Sequence, residues 1–177
     1  MKKFILLVSF IAIASGSLFA QDYKNSIGVV AGSLNGLSYK TFIKEKVALQ
    51  TDLAFGLIAT RGSMNYYGYT IVGEEHAWTF QLQPNLYYQN NILDANWGNI
   101  AALVGGGVSL GYAEEFGSSI HLGKAGFNAI AGVEFILKNT PITIGLDFRP
   151  GYGVLFNDML ALHMFDWALA ANVRYCF

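Results

Sequence analysis

The chain has 177 residues and a net charge of −1, and only 13% of its residues are charged, whereas 53% are hydrophobic. Soluble domains carry about 25% charged residues, so this composition disfavours an ordinary soluble protein, and the balanced charge removes the electrostatic basis for binding nucleic acid. The single cysteine, Cys176, excludes a disulfide within the chain.

Residues 1–20 have the pattern of a secretory signal peptide. Lys2 and Lys3 form a basic head, FILLVSFIAIA forms an apolar core, and small residues follow the core. The core is too short for a membrane-spanning helix. We therefore predict cleavage after Ala20, with cleavage after Ser17 as the alternative, and one domain over residues 21–177.

The rest of the chain combines high hydrophobicity with the absence of a long apolar run. No later segment has the roughly 18 consecutive apolar residues that a transmembrane helix needs. The chain is nevertheless 15% aromatic and contains 20 glycines. A β-barrel in a membrane accounts for these features, because its apolar residues recur at every second position.

Alternation with a period of two predicts eight strands. In chain order they cover residues 24–33, 36–43, 46–58, 77–89, 98–113, 127–138, 141–149 and 165–177. The alternation is most regular in AWTFQLQPNLYYQ (77–89), where Trp78, Phe80 and Leu82 share a face opposite polar residues. The number of strands is even, and about 20 residues for each strand and its connection suit the 9–11-residue strands that span a bilayer.

The connections between these strands are predicted to alternate in length. The periplasmic connections are expected to be tight at 44–46 and 139–141 and longer at 90–97, and the outer loops are expected at 33–36, 59–76, 114–123 and 155–163. This assignment follows the rule that short turns of outer-membrane barrels face the periplasm and long loops face outside. The loop 59–76 is expected to extend its hairpin above the membrane.

The sizes of the side chains indicate which face of each strand points outward. An eight-stranded barrel is just wide enough inside for side chains, so six or seven large apolar residues per strand do not fit there and are predicted to face lipid. The ionisable residues predicted to face inward are Lys40, Asp52, Glu134, Asp147, Arg149, Asp166 and Arg174. Because buried charges need partners, we predict a network that plugs the interior, with a narrow ion path as the alternative.

Aromatic residues are predicted to form two girdles at the membrane interfaces. The expected members are Trp78, Tyr112 and Trp167 at the outer interface and Tyr88 and Trp97 at the inner one. Pro84 and Pro150 fall on the lipid face, and because proline lacks the N–H that a ladder uses, they predict bulges or strand ends. The glycines at 105–107 lie inside a strand and open no helix, so they predict a kink rather than a phosphate loop.

These features together resemble the small outer-membrane β-barrel proteins of Gram-negative bacteria, of the OmpA-transmembrane-domain, OmpX and opacity-protein type. The resemblance covers residues 21–177 and is carried by the signal peptide, the eight alternating segments and the ending VRYCF. It implies an antiparallel up-and-down barrel surrounded by outer-membrane lipids, which we expect to be a monomer. In that family a terminal Phe with aromatic or apolar residues at alternate positions, here Val173, Tyr175 and Phe177, is the signal read by the barrel-assembly machinery.

The outer rim contains the residues that could carry chemistry. All three histidines are expected there, and Ser118, Ser119 and Glu115 are close to His121 in sequence. Lipid A deacylases and palmitoyltransferases of this architecture place a Ser and a His in such positions, where a base can activate a hydroxyl beside an acyl chain. Neither enzyme family's local motif is present, and no HxH or HxxxH spacing indicates zinc.

We therefore predict a protein without enzymatic activity, cofactor or metal, which stabilises the envelope or presents its loops at the surface. A lipid A-modifying enzyme that uses the rim residues near His121 is the first alternative, and a small channel is the second.

Overall fold

The computed structural model describes residues 23–66, 69–115, 121–157 and 161–177, and the predicted signal peptide lies outside these residues. The strands are β1 (Asn25–Gly32), β2 (Leu34–Lys44), β3 (Val47–Tyr66), β4 (Tyr69–Ala95), β5 (Gly98–Glu115), β6 (His121–Leu137), β7 (Ile142–Phe156) and β8 (Ala161–Cys176). In the part of the chain that is described, no helix has the length and hydrophobicity to cross a membrane.

The eight strands form one closed barrel. Each strand pairs antiparallel with the next, and β8 returns to pair with β1. At this seam Asn25 and Phe177 exchange backbone hydrogen bonds of 3.1 and 2.9 Å between N and O. The predicted fold, an eight-stranded antiparallel up-and-down barrel, is confirmed, and the last strand closes it as expected.

The strands are staggered around the barrel. If the paired residue is followed from each strand to the next, starting at Val29 in β1, the path through β2–β7 arrives at His163 in β8. Val29 itself, however, pairs directly with Val173 of β8. The shear of the barrel is therefore ten residues, which is the difference between positions 173 and 163. Such a stagger tilts eight strands by about 35–45° and leaves an interior that side chains can fill.

The two ends of the barrel differ in their connections. The turn end holds both ends of the described chain and the connections at 45–46, 96–97 and 138–141, and the opposite end is called the loop end. The longer turn predicted at 90–97 is wrong, because β4 continues to Ala95 and β5 begins at Gly98. A bulge between Asn91 and Leu93 shifts the register there, which interrupts the period-two pattern without ending the strand.

The strands at the loop end extend further than predicted. Most of the expected loop at 59–76 is strand, because β3 and β4 remain paired up to Tyr66 and Tyr69. The last pair of β4 with β5 is Ala77 with Glu115, so residues 69–76 continue beyond this neighbour. At about 3.3 Å per residue, this extension is about 25 Å along the strand. By contrast, β1 and β2 are joined by Ser33 alone, so the barrel wall formed by β1 and β2 is shorter at the loop end than the wall formed by β3 and β4.

The bulges or strand ends predicted at Pro84 and Pro150 are absent, because the described strands β4 and β7 continue through the two prolines. Pro84 pairs with Thr51 of β3 and Pro150 with Trp167 of β8, each in continuous register. The ladders on the other sides of the two prolines, to β5 and to β6, lack their rungs there and then resume in the same register. Each missing N–H therefore removes local pairing with one neighbour without inserting a residue.

The seam between β1 and β8 can be tested with a disulfide. Ser26 pairs with Cys176, next to the hydrogen-bonded pair at the seam, so these two residues form a non-hydrogen-bonded pair with Cα atoms about 4.5 Å apart. That separation suits a disulfide. We expect oxidised Ser26→Cys to lose its reactive thiols and to gain about 2–4 kcal/mol of unfolding free energy. Maleimide labelling and urea unfolding measure both effects.

The control for this experiment is Ser26→Cys combined with Cys176→Ala, which keeps one thiol and cannot form the bond. A Ser26→Cys variant that keeps two reactive thiols under oxidising conditions would contradict the β1–β8 register.

Candidate functional site

The exterior of the barrel is apolar over the middle of its strands. Large apolar side chains point outward and are exposed on every described strand; examples are Val29, Leu37, Leu53, Leu82, Val104, Phe127, Leu146 and Leu169. In a barrel that is folded in water, such side chains would be buried. This exterior is suited to a surrounding of hydrocarbon.

The aromatic residues predicted for the girdles lie on this outer face near the two ends. Trp78 and Tyr112 lie toward the loop end, where Tyr112 pairs with Phe80, and Tyr88 and Trp97 lie toward the turn end. Trp167 is also exposed and pairs with Pro150. All five rings are exposed. The apolar exterior is thus bordered by aromatic rings at both ends.

The interior holds the ionisable residues. The structure places Lys40, Asp52, Glu134, Asp147, Arg149 and Arg174 in buried positions and leaves the Asp166 side chain 31% exposed. A fourth base, Lys124, is also buried inside the barrel. Sequence reasoning missed it because the strand was predicted to begin at 127, whereas β6 begins at His121. These eight residues comprise four acids and four bases, so their formal charges cancel.

Glu134 is the centre of an ionic cluster near the turn end. Its carboxylate accepts hydrogen bonds from Lys40 Nζ at 2.5 Å, from Arg174 Nη1 at 2.9 Å and from the Tyr23 hydroxyl at 3.1 Å. The side chains of Lys40 and Glu134 are completely buried. Because β2 and β6 are four strands apart in a ring of eight, this ion pair joins opposite walls.

The Lys40 ammonium has further partners within the cluster. It donates to Gln89 Oε1 at 2.6 Å and lies 4.8–5.5 Å from the centroids of the Tyr23, Phe42 and Tyr87 rings. Tyr23 precedes β1, and its burial beside Glu134 raises the pKa of its phenol well above the usual range. The phenol therefore stays protonated and remains a donor to Glu134. Together these groups fill the lumen at the turn end.

Arg149 is the centre of a second ionic cluster, halfway along the barrel. Its guanidinium binds Asp52 through Nη1 at 2.5 Å and Asp147 through Nε at 2.5 Å. Gln83 accepts a further hydrogen bond from Nη1 at 3.1 Å, and Asn172 donates to Asp147 at 3.0 Å. The pair of Arg149 on β7 with Asp52 on β3 again joins opposite walls.

Gln50 connects the two clusters. Its carbonyl oxygen accepts hydrogen bonds from Arg174 Nη2 at 2.6 Å and from the Tyr87 hydroxyl at 3.0 Å. Its amide nitrogen donates to Asp52 at 2.8 Å. One neutral side chain thus satisfies a cation on one side and an anion on the other, and the charges of the two clusters form one continuous network.

Among the described residues, an ion pair and an apolar layer lie at the loop end of the lumen. Lys124 Nζ lies 2.8 Å from Asp166 Oδ2. Beyond this pair, Ala113, Leu122, Leu155 and Met164 form a buried apolar cluster inside the barrel. A small polar cavity lies below it, lined by residues that include Gln83, Lys124 and Arg149.

Most of the predicted rim site around His121 lies outside the described residues. Ser118 and Ser119 lie outside the described residues, as do the side chains of Glu115 and His76. His121 is exposed, and its Nδ1 is hydrogen-bonded to the Tyr112 hydroxyl. A similar contact joins the Tyr152 hydroxyl to Nδ1 of exposed His163 at 2.9 Å. Among the described residues, no group of three His, Cys, Asp or Glu side chains is arranged to hold a metal ion.

The final residues alternate between the two faces of β8. Val173 and Phe177 are exposed on the outer face, and the Tyr175 ring stacks on the Phe177 ring with centroids 6.5 Å apart. Arg174 and Cys176 are buried on the inner face, where the Cys176 thiol is free and lies 4.0 Å from the Thr143 hydroxyl. The residues predicted to form the assembly signal thus share one outward stripe.

No protein-family model matches the chain, and a search of curated proteins also found no match. Among solved structures, the chain is similar to Neisserial surface protein A (NspA), with a TM-score of 0.47 and 14% identity over 86% of this chain and 94% of that chain. It is also similar to Ail, the attachment invasion locus protein of Yersinia pestis, with a TM-score of 0.31 and 18% identity over 85% of this chain and 96% of that chain. These likenesses concern the fold.

Proposed function

We propose that this chain is an integral protein of the Gram-negative outer membrane, a monomeric barrel with a closed lumen that stabilises the envelope or presents its loop end at the surface. We assign it no catalytic or cofactor-dependent role. Its membrane partners are the surrounding lipids and, during assembly, the machinery that would read Val173, Tyr175 and Phe177 at the C-terminus.

One observation carries the membrane location, namely that the barrel is apolar outside and ionic inside. Large side chains such as Leu37, Leu82 and Phe127 are exposed, whereas Lys40, Glu134 and Arg174 are buried. In water-soluble proteins the apolar side chains are inside and the charged ones outside. A bilayer reverses this distribution, because hydrocarbon surrounds the barrel and the polar groups inside bind one another. The hydrogen-bonded closure between β1 and β8 fits the same requirement, since it leaves no unpaired edge at the seam.

The network inside the barrel supports the closed lumen. Two ion pairs, Lys40 with Glu134 and Arg149 with Asp52, cross between opposite walls at different depths. Gln50 fills the space between them through hydrogen bonds to Arg174 and Asp52. An eight-stranded barrel has little room beyond its side chains, so transport through it is disfavoured. Conductance steps above background in planar bilayers would contradict a closed lumen.

The shape of the loop end supports a role in surface presentation. The β3–β4 hairpin continues beyond β5 for residues 69–76, while the β1–β2 side ends at Ser33. A tall hairpin on one side of a rigid barrel is a suitable platform for contacts outside the membrane.

Leucine-to-arginine substitutions on β4 test the membrane location. Leu82 lies on the outer face between the Trp78 and Tyr88 rings. We expect Leu82→Arg to lower the free energy of unfolding from lipid vesicles by about 2–4 kcal/mol, because it places a charge near the bilayer midplane. Urea unfolding from vesicles measures this cost.

Leu93→Arg is the matched control for this measurement, because Leu93 is exposed on the same strand beyond Tyr88 at the turn end. A charge near the interface costs only about 0–1 kcal/mol. If Leu82→Arg were as stable as Leu93→Arg, or if the unmodified protein stayed soluble without detergent, the membrane location would be wrong.

A further inference from the structure

The outer face of β5–β8 contains an apolar depression, which we call the β5–β8 groove. Gly106, Ala129 and Pro150 form its floor, and Phe127, Tyr152 and Phe165 form its walls. The floor is low because its residues are small and because the ladder between β6 and β7 lacks its rungs beside Pro150. Large exposed side chains cover much of the described apolar exterior, whereas the floor of this groove is built from small residues and a proline.

Two tyrosine–histidine pairs lie on the same outer face toward the loop end. Tyr112 on β5 binds His121 on β6, and Tyr152 on β7 binds His163 on β8. The ring centroids of the second pair are 6.0 Å apart, with an angle of 30° between the rings. Tyr152 also forms a wall of the groove, where its ring lies 5.9 Å from that of Phe127. The second pair is therefore continuous with the groove.

Each pair presents a hydrogen-bond donor to the surroundings. If the tyrosine hydroxyl donates to Nδ1, the neutral imidazole carries its proton on Nε2, on the other side of the ring. If Nδ1 carries the proton, it donates to the tyrosine oxygen and leaves the hydroxyl proton available. In both cases an O–H or N–H group at the top of the groove can bind an acceptor such as a phosphate oxygen.

The second pair is better suited to an anion than the first. Glu114 is exposed and pairs directly with His121, so a carboxylate lies beside that imidazole. His163 pairs instead with Val154, and its nearest outward neighbour on β8 is Phe165. An anion at His163 thus avoids the repulsion that it would meet beside Glu114.

We infer that the β5–β8 groove binds one phosphate-bearing lipid of the outer leaflet, which rests on the proposed membrane location. An acyl chain lies in the groove against Ala129 and Pro150, and a phosphate oxygen accepts a hydrogen bond from the Tyr152–His163 pair. The donor lies next to the apolar recess, on the side nearer the loop end. A lipid of the outer leaflet has the same order, with its phosphate nearer the loop end than its acyl chains.

The probe for this site is diphosphorylated lipid A, compared with the same lipid A after removal of its phosphates. Binding to the protein in detergent micelles is measured by native mass spectrometry. We expect the double variant Tyr152→Phe with His163→Ala, which removes both donors and keeps a ring in the groove wall, to weaken binding of the phosphorylated lipid by about tenfold, because a hydrogen bond to a charged group is lost, and to leave binding of the dephosphorylated lipid unchanged. We expect Ala129→Phe, which fills the groove, to weaken binding of both lipids.

Two variants serve as matched controls. Tyr112→Phe with His121→Ala removes both donors of the other pair, and Ala171→Phe adds a ring to the outer face of β8 away from the groove. Equal effects of the two double variants, or of Ala129→Phe and Ala171→Phe, would overturn the site. Such a result would leave the membrane location intact, since that depends on the separate comparison of Leu82→Arg with Leu93→Arg.

Discussion

Replacing Glu134 with glutamine is expected to lower the free energy of unfolding by about 3–5 kcal/mol. The Glu134 carboxylate is the anion that binds both Lys40 and Arg174, and all three side chains are buried. Glutamine keeps the shape of the side chain but leaves two cations close together in the lumen without their counter-charge. The measurement is urea unfolding of the protein in lipid vesicles. The fractions of folded and unfolded protein are read from their different mobilities in unheated SDS gels.

The control for Glu134→Gln is the same change of acid to amide in an exposed pair. Asp94 binds Lys138 at 2.8 Å near the turn end, and the Asp94 side chain is 73% exposed. We expect Asp94→Asn to cost less than about 1 kcal/mol. A double variant, Lys40→Met with Glu134→Gln, should recover part of the lost stability, because it leaves one unpaired cation rather than two. Equal stability of Glu134→Gln and Asp94→Asn would show that the cluster does not depend on its anion.

The faces of the strands could be predicted because a strand directs alternate residues to opposite sides. Leu82 and Gln83 are assigned to different faces by this rule alone, and the structure has one exposed and the other buried. The sizes of the side chains then indicated that the apolar face points outward. Both steps need only local sequence, which is why the fold was predictable.

The pairs inside the lumen could not be predicted in the same way. Whether Lys40 meets Glu134 depends on the shear, which brings residues that are 94 positions apart in sequence to the same depth. A shift of one strand by two residues would keep every side chain on its face and change the partners. The sequence pattern therefore indicated which charges are inside, but left open which acid binds which base.

The ends of the strands were the least predictable part of the fold. Polar residues such as Asn90 and Asn91 suggested a turn, but they remain paired with β5 next to a bulge. Lys124 was missed for a related reason, because the strand was predicted to begin at 127, after a polar and glycine-containing segment, whereas β6 begins at His121. Backbone pairing with a neighbouring strand can stabilise a segment whose own sequence has no clear alternation.

Replacing Arg149 with methionine is the second substitution with a large expected effect, again about 3–5 kcal/mol of unfolding free energy. Arg149 lies between Asp52 and Asp147 and binds both at 2.5 Å. Methionine fills part of the same space but leaves two buried carboxylates without a cation. Among the described residues, an amide partner remains for each carboxylate, Gln50 for Asp52 and Asn172 for Asp147. Urea unfolding from vesicles measures the loss of stability.

The triple variant Asp52→Asn, Asp147→Asn and Arg149→Met separates charge balance from packing. Removing all three charges together should restore stability to within about 1–2 kcal/mol of the unmodified protein, because a buried ionic group often contributes little beyond a neutral group of similar shape. A triple variant as unstable as Arg149→Met would instead mean that the ionic geometry itself stabilises the barrel. In planar bilayers the triple variant should stay as non-conducting as the unmodified protein, since its side chains still fill the lumen. The closed lumen would then result from packing, while the charges specify which walls are joined.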